Sequence, residues 1–193
     1  MMERTDEELW LDYNSGDAGA FDALFQRHKG RIFNFALRLT GNRADAEDVT
    51  SEAFVQLFHR KFQDNGKARL VTWLFTVARN ACLSRMRSAK RLVSLWFKNN
   101  ADDGYEQWDI PDDSAPPDAE LGKKETAQVV RRALRKLPVE QREALILREY
   151  FQKDYAEIAQ ILECSLENVK VRIFRGREKL REDLSARILE DGK

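Results

Sequence analysis

The chain has 193 residues, and its 33 basic and 33 acidic side chains give a formal net charge of zero. This length allows one large or two small domains, and a hydrophobic content of 42% is sufficient for helical cores but too low for a membrane protein. No stretch approaches the roughly 18 uninterrupted apolar residues of a spanning helix, and the acidic N-terminus is unlike an export signal, so we expect a cytoplasmic protein without membrane insertion.

The first half of the chain predicts a bundle of amphipathic helices. Apolar residues recur at spacings of three and four from Phe21 to Leu39, and Gly41 with Asn42 stops this helix. A second helix begins near Ala44 with carboxylates at its N-terminal end and carries an apolar stripe to Phe58. A turn signal at residues 63–66 precedes a third helix from about Leu70 to Met86, which ends in a basic run.

Charge divides the chain into three segments. Residues 1–90 carry a net charge of +2, residues 91–122 of −6 and residues 123–193 of +4. The acidic segment contains three of the four prolines and no helical periodicity, which is typical of a flexible linker or a solvated spacer. We therefore predict an all-α fold of two small helical domains, at residues 1–92 and 123–193, joined by a flexible acidic linker at 93–122.

The second unit predicts a helix-turn-helix. Helices over Thr126–Leu137 and Val139–Glu149 are followed by a short helix from Tyr155 to Leu162, a three-residue break, and a long helix from Leu166. Two helices separated by a break of this length are typical of the DNA-binding motif, whose second helix enters the major groove. Ser165 is the expected cap of that second helix.

Two helices carry runs of positive charge. On a helical wheel, Val169, Ile173, Gly176 and Leu180 share one face, while residues 170–181 hold six basic residues and one acidic residue. A duplex supplies the matching negative charge, although a solvated basic surface is the alternative. The basic run at the end of the third helix lies near Phe62 and Trp73, whose rings either stack on single-stranded bases or lie in the core, and the spacing of Trp73 favours the core.

Five ordered motifs identify a family resemblance. Residues 45–54, 72–80, 137–143, 155–159 and 169–172 resemble the extracytoplasmic-function (ECF) sigma factors of the sigma-70 family, across about residues 6–188. The resemblance implies a non-enzymatic factor that binds core RNA polymerase, through the beta-prime clamp helices and the beta flap, and directs it to promoter DNA. It also implies control by an anti-sigma factor, with no small-molecule substrate and no cofactor.

The resemblance assigns three sets of site residues. The polymerase-binding set is Asp45, Glu47, Asp48, Glu52, Phe54, Gln56 and Leu57. The minus-10 set is Phe62, Arg69, Asn80, Ser84, Arg85, Arg87 and Lys90. The minus-35 set comprises Lys170, Phe174 and Arg175 toward the bases, Arg148, Tyr155, Arg172 and Arg177 toward phosphates, and Asn168 and Val171 near the N-terminal end of the reading helix.

Two positions depart from the family pattern. Glu163 and Cys164 stand where a glycine and an apolar residue are frequent, and the change is expected to matter little provided that Glu163 avoids a positive φ. Val171 replaces a small polar residue, so it can contact a thymine methyl but cannot donate a hydrogen bond.

Two other classes of protein are the alternatives to a sigma factor. A helix-turn-helix regulator acting without polymerase needs only residues 123–193 and leaves the 45–58 helix without a role. A nucleic-acid enzyme needs clustered carboxylates or a metal, whereas His28 and His59 are isolated and no metal site is predicted. Cys82 and Cys164 lie far apart in sequence, which argues against a disulfide framework and a zinc site, and Cys164 fits a small buried residue better than a redox sensor.

Overall fold

The computed structural model describes residues 4–59, 62, 69–99 and 121–191, with side chains described at 4–59, 62, 69–91 and 128–185. Within these residues the chain forms eight helices and no strand. The first four are α1 (Asp6–Asn14), α2 (Ala18–Thr40), α3 (Arg43–Phe58) and α4 (Leu70–Asn99). The last four are α5 (Leu121–Lys136), α6 (Val139–Glu149), α7 (Tyr155–Leu162) and α8 (Leu166–Asp191). The predicted all-α class is confirmed.

Local signals fix the ends of the first helices. Gly41 adopts a φ of 72° at the end of α2, and the side chain of Asn42 accepts a hydrogen bond from the backbone of Asp45 at 3.0 Å to start α3. A left-handed glycine followed by a capping asparagine is an efficient break between two helices. The predicted stop at this position is confirmed.

Helix α1 was not predicted, although the sequence contains its start signal. The hydroxyl of Thr5 accepts from the backbone N–H of Glu8, and the Glu8 carboxylate accepts from the backbone N–H of Thr5. This reciprocal capping box supports a short helix that buries Leu9, Trp10 and Tyr13 against the bundle.

The second half contains the predicted helix-turn-helix. Asp154 and Glu157 form a capping box at the start of α7, and Ser165 accepts from the backbone of Asn168 at 3.2 Å at the start of α8. The predicted packing face of α8 is confirmed, because Val169 and Ile173 are buried and a Cβ on Gly176 would lie 2.7 Å from a methyl carbon of Leu145. Helices α6 and α8 therefore cross in close contact.

Glu163 has a positive φ, so the condition under which its departure from the family pattern was expected to matter little is not met. Its φ is 52° and its ψ is 45°, so this residue occupies the left-handed region that a glycine adopts without strain. The chain needs this conformation to reverse direction within the three residues between α7 and α8.

The two helical units pack against each other. Phe35 of α2, Phe75 of α4 and Phe151 after α6 form an aromatic cluster with ring centroids 5.1 to 5.9 Å apart. The guanidinium of Arg142 donates to the carbonyl oxygen of Leu39 at 3.1 Å, which satisfies the C-terminal end of α2. The buried apolar residues of both units consequently form one continuous core.

The helix limits differ from the predicted linker. Helix α4 extends to Asn99 and α5 begins at Leu121, so the predicted boundary at residue 93 falls within a helix. The turn signal at residues 63–66 and the carboxylate-rich residues 102–120 lie outside the described residues. In the described part of the chain, no helix is long and apolar enough to cross a membrane.

Candidate functional site

The outward surface of α3 combines acidic and apolar groups. Asp45, Glu47, Asp48, Glu52 and Gln56 lie at the surface or are half-buried, whereas Phe54 and Leu57 are buried in the core. Phe54 packs edge-to-face on Phe25 with centroids 4.9 Å apart. The two apolar members of the predicted polymerase-binding set therefore hold α3 in place rather than face outward.

Sequence reasoning missed the apolar residues that this surface presents. Val55 is 53% exposed and Phe58 is 54% exposed, and the Phe58 ring packs edge-to-face on Phe21 with centroids 5.5 Å apart. Phe58 was placed on the packing stripe with Leu57, yet only Leu57 is buried. A helical wheel separates Leu57 from Phe58, because consecutive residues lie about 100° apart on a helix and cannot both point into the core. We call Val55 and Phe58, together with the carboxylates of Glu47, Asp48 and Glu52 on the same helix, the α3 surface.

The exposed part of α4 is basic. Asn80, Ser84, Arg87 and Lys90 are exposed, as is Arg69 just before the helix. Arg85 is half-buried and donates to the carboxylate of Glu52 at 2.9 Å. The structure thus joins a predicted minus-10 residue to a predicted polymerase-binding residue across the groove between α3 and α4.

Phe62 lies in the core rather than on the basic surface. Its ring is 4% exposed and sits 5.5 Å from the Trp10 ring and 5.7 Å from the Trp73 ring, centroid to centroid. Trp73 is itself partly buried against the core. In this arrangement the Phe62 ring is not available to stack on a base, and only part of the Trp73 ring is exposed.

Four predicted minus-35 residues share one exposed face of α8. Lys170 and Arg175 are exposed, Val171 is 43% exposed and Phe174 is 66% exposed. They fall within an arc of about 140° on the helical wheel, opposite the face that packs on α6. We call them the α8 face, and Asn168 is exposed at its N-terminal end.

The predicted phosphate-binding residues are engaged within the protein. Arg177 donates to Glu149 at 2.6 Å, and Arg148 donates to the carbonyl oxygen of Lys153 at 3.0 Å while stacking on the Tyr155 ring. Arg172 lies 3.4 Å from the Glu143 carboxylate. By contrast, Lys170 and Arg175 of the α8 face make no ion pair within the described part of the chain.

Glu143 is the buried anion at the junction of the two units. Its side chain is 1% exposed and accepts two hydrogen bonds from Arg79 of α4, at 2.8 and 3.1 Å. Burial alone lowers the pKa of Arg79, but the hydrogen bonds and the charge of Glu143 outweigh that effect and raise it. Arg79 therefore stays charged, and the buried pair is electrically matched.

The cysteines carry no sign of a reactive or metal-binding role. Burial raises the pKa of the Cys82 thiol to about 12, so it is protonated at neutral pH. Cys164 is partly buried against the core beside the turn of the helix-turn-helix. Among the described residues, no group of three His, Cys, Asp or Glu side chains is arranged to hold a metal ion.

Comparison with known proteins identifies the family. Residues 24–92 match the model of sigma-70 region 2, and residues 127–180 match that of sigma-70 region 4. The ECF sigma factor SigM of Mycobacterium tuberculosis (strain H37Rv) is 31% identical over 178 residues, which cover 92% of this chain and 84% of SigM. The chain belongs to the ECF sigma factors. SigW of Bacillus subtilis (strain 168) is 29% identical over 185 residues, covering 95% of this chain and 98% of SigW.

Two solved structures share the fold. RpoE of Bartonella quintana, in complex with the anti-sigma factor NepR, aligns with a TM-score of 0.66 and 26% identity over 86% of this chain and 96% of RpoE. CnrH, in complex with the cytosolic domain of CnrY, aligns with a TM-score of 0.66 and 27% identity over 94% of this chain and 97% of CnrH.

The family match places the surfaces described above. Region 2 of this sigma factor contains the α3 surface and the basic side of α4, and region 4 contains the α8 face. The contact between Arg79 and Glu143 joins region 2 to region 4. Both units that a sigma factor needs are present, and in this structure they touch.

Proposed function

We propose that this ECF sigma factor binds core RNA polymerase through the α3 surface, and that regions 2 and 4 then read the minus-10 and minus-35 elements of its promoters. The proposed units are region 2 at residues 1–92, a linker at 93–122 and region 4 at 123–193. The protein acts in the cytoplasm, and its role is recognition rather than catalysis.

One observation carries this proposal over a helix-turn-helix regulator. The α3 surface exposes Val55 and Phe58 on the same helix as the carboxylates of Glu47, Asp48 and Glu52, and it lies on the other unit from the α8 face. Exposed apolar side chains beside charged ones are the usual composition of a specific protein interface. A regulator that binds only duplex DNA has no use for this second surface.

We also propose that an anti-sigma factor controls the protein. RpoE of Bartonella quintana, which shares its fold over most of its length, was solved in complex with the anti-sigma factor NepR. A partner that covers Val55 and Phe58 would block the polymerase and bury apolar area that is otherwise exposed to water.

Reconstituted transcription tests the function. Purified core polymerase with this protein should start RNA at defined positions on genomic fragments, and core polymerase alone should not. The matched control carries Val55→Asp, which should abolish these starts while leaving the protein folded. Sequence-specific duplex binding without any polymerase-dependent start would instead support the helix-turn-helix regulator.

A further inference from the structure

A basic cleft lies between region 2 and region 4, apart from the surfaces already assigned. It has a volume of about 480 Å³ and is lined on one side by the middle of α2 and on the other by the turn at Tyr150–Gln152. Arg27, Lys29 and Arg31 line its α2 side, and no carboxylate is among its lining residues. Arg27 is paired with Asp6, whereas Lys29 and Arg31 make no ion pair in the described part of the chain, so these two cations mark a site suited to an anion.

The cations of the cleft differ in how they are engaged. Arg27 donates to Asp6 at 2.7 Å, and the ammonium of Lys29 lies 5.4 Å from the centre of the Phe25 ring. Arg31 is exposed, and within the described part of the chain it makes no ion pair. Arg31 is therefore the cation best placed to bind an added anion.

Gly30 opens the wall of the cleft at its centre. A glycine in the interior of a long helix destabilises that helix by about 1 kcal/mol relative to alanine. Packing does not require it, since a Cβ at Gly30 would have no heavy atom within 4 Å. The missing side chain instead leaves the backbone of α2 open to close approach by a ligand.

The opposite wall holds an aromatic ring and a strained residue. Tyr150 is 42% exposed at the edge of the cleft, and the guanidinium of Arg38 lies 4.4 Å from the centre of its ring. Gln152 has a φ of 51°, a conformation that non-glycine residues adopt at an energetic cost. This conformation belongs to the turn after α6, in which the backbone N–H of Lys153 donates to the carbonyl oxygen of Leu147 at 3.1 Å, and the Gln152 side chain is exposed at the cleft.

We propose that the basic cleft binds the phosphate groups of a small anionic ligand, either a nucleotide or an inorganic oligophosphate. Its volume falls within the range of about 300 to 1,000 Å³ typical of small-molecule sites. Arg31 and Lys29 supply charge-assisted hydrogen bonds to phosphate oxygens, and the amides of Asn34 and Gln152 supply further donors. Because both units form the cleft, the ligand binds the packed arrangement and stabilises it.

Calorimetry on the full chain at physiological salt tests the site with ATP, tripolyphosphate and adenosine. We expect one molecule of ATP or tripolyphosphate to bind per chain, and adenosine not to bind. Tighter binding of ATP than of tripolyphosphate assigns a nucleotide whose base contacts Tyr150, and equal binding assigns an inorganic oligophosphate. Failure of both phosphates to bind below about 1 mM overturns the proposal.

Two variants separate the cleft from general surface charge. Arg31→Gln should weaken binding about tenfold, whereas Arg132→Gln, which removes an exposed arginine of α5 outside the cleft, should leave it unchanged. Gly30→Leu should obstruct the cleft and abolish binding without lowering Tm, because leucine favours a helix and its Cβ would have no heavy atom within 4 Å. Equal losses in the two arginine variants, or wild-type binding by Gly30→Leu, would show that the phosphate binds elsewhere.

Discussion

Arg79 of α4 and Glu143 of α6 form a two-point ion pair, with N–O distances of 2.8 and 3.1 Å, that joins region 2 to region 4 in the protein interior. Phe75 of the aromatic cluster lies one helical turn before Arg79 on α4, so both the ion pair and the cluster join the two units. A buried pair of this kind is strongly destabilised when one partner is removed.

The packed arrangement does not fit simultaneous reading of both promoter elements. Elements centred near positions minus-10 and minus-35 are about 25 base pairs apart, which is about 85 Å at about 3.4 Å per pair. Two units that share one core cannot occupy both elements together. The units must therefore separate before both elements are bound.

Loosening the junction should increase promoter binding by the free protein. Arg79→Gln leaves Glu143 without its main partner and favours separation of the two units. We expect a larger radius of gyration in small-angle scattering and at least about fivefold tighter binding to a promoter duplex without polymerase. Arg91→Gln changes an exposed arginine farther along the same helix, and it should alter neither the radius of gyration nor the affinity in this way. An unchanged radius for Arg79→Gln would show that the pair does not hold the units together.

One variant on the α3 surface and one on the α8 face should each impair a different binding activity. Val55→Asp places a charge in the apolar centre of the α3 surface and should weaken core polymerase binding at least about tenfold. Val171→Asp places the same charge on the α8 face and should weaken minus-35 duplex binding instead. Both valines are exposed, so neither change should lower Tm by more than a few degrees. Loss of both activities in either variant would argue against two separate surfaces.

Arg175 should contribute more to duplex binding than Arg177, its neighbour two residues along α8. Arg175 is exposed on the α8 face, whereas Arg177 is held by Glu149 at 2.6 Å. Arg175→Ala should therefore reduce affinity for the minus-35 duplex about tenfold at physiological salt, and Arg177→Ala less. Titrations at several salt concentrations measure both affinities, and equal effects of the two variants would show that the Arg177 pair opens without cost.

Replacing the left-handed residue of the helix-turn-helix should stabilise the protein. Glu163 has a φ of 52°, so Glu163→Gly relieves about 1 kcal/mol of backbone strain and should raise Tm. Glu163→Ala removes the same carboxylate but keeps the strain, which makes it the matched control. If both variants shift Tm equally, the effect comes from the charge and not from the backbone.

The contact of Asp6 with α2 predicts a pH-dependent contribution to stability. Burial opposes ionisation of Asp6, but hydrogen bonds from His28 at 2.8 Å and Arg27 at 2.7 Å outweigh it and lower the pKa of Asp6 below its usual value of 3.8. A carboxylate with a lowered pKa stabilises the folded state at pH values above its unfolded pKa, and this contribution is lost as pH falls through the folded pKa.

Thermal unfolding across pH measures that contribution. Asp6→Asn should lower Tm at pH 7, and its difference from the wild type should shrink below about pH 4. Asp22→Asn, at an exposed position of α2, should lower Tm little at either pH. A constant difference between pH 7 and pH 3 would attribute the effect of Asp6→Asn to packing.

Local signals predicted most of the individual helices. Gly41 with Asn42 marked the boundary between α2 and α3, and the positions of Val169 and Ile173 gave the packing face of α8. These features depend on neighbouring residues and on one helical period, both of which the sequence displays. The extension of α4 to Asn99 was missed because the boundary was drawn where charge changed, whereas the first proline after it is Pro111.

Contacts between the two units were beyond sequence reasoning. Arg79 and Glu143 are 64 residues apart, and Arg142 contacts Leu39 from 103 residues away. These residues lie in helices whose apolar stripes can be explained by packing within one unit alone. The sequence therefore gives no sign that the two units contact each other. The same ambiguity hid Val55 and Phe58, because an apolar residue that faces a partner has the same composition as one that faces the core.

The close crossing at Gly176 has a consequence for promoter preference. A methyl group there would meet Leu145 at 2.7 Å, so the angle and depth at which α8 is seated against α6 tolerate almost no change. The four side chains of the α8 face are exposed and lie away from the contact with α6, so substituting them should affect folding little. If the α8 face reads the minus-35 element as proposed, single substitutions at residues 170, 171, 174 and 175 should change promoter preference while the support of the helix stays fixed.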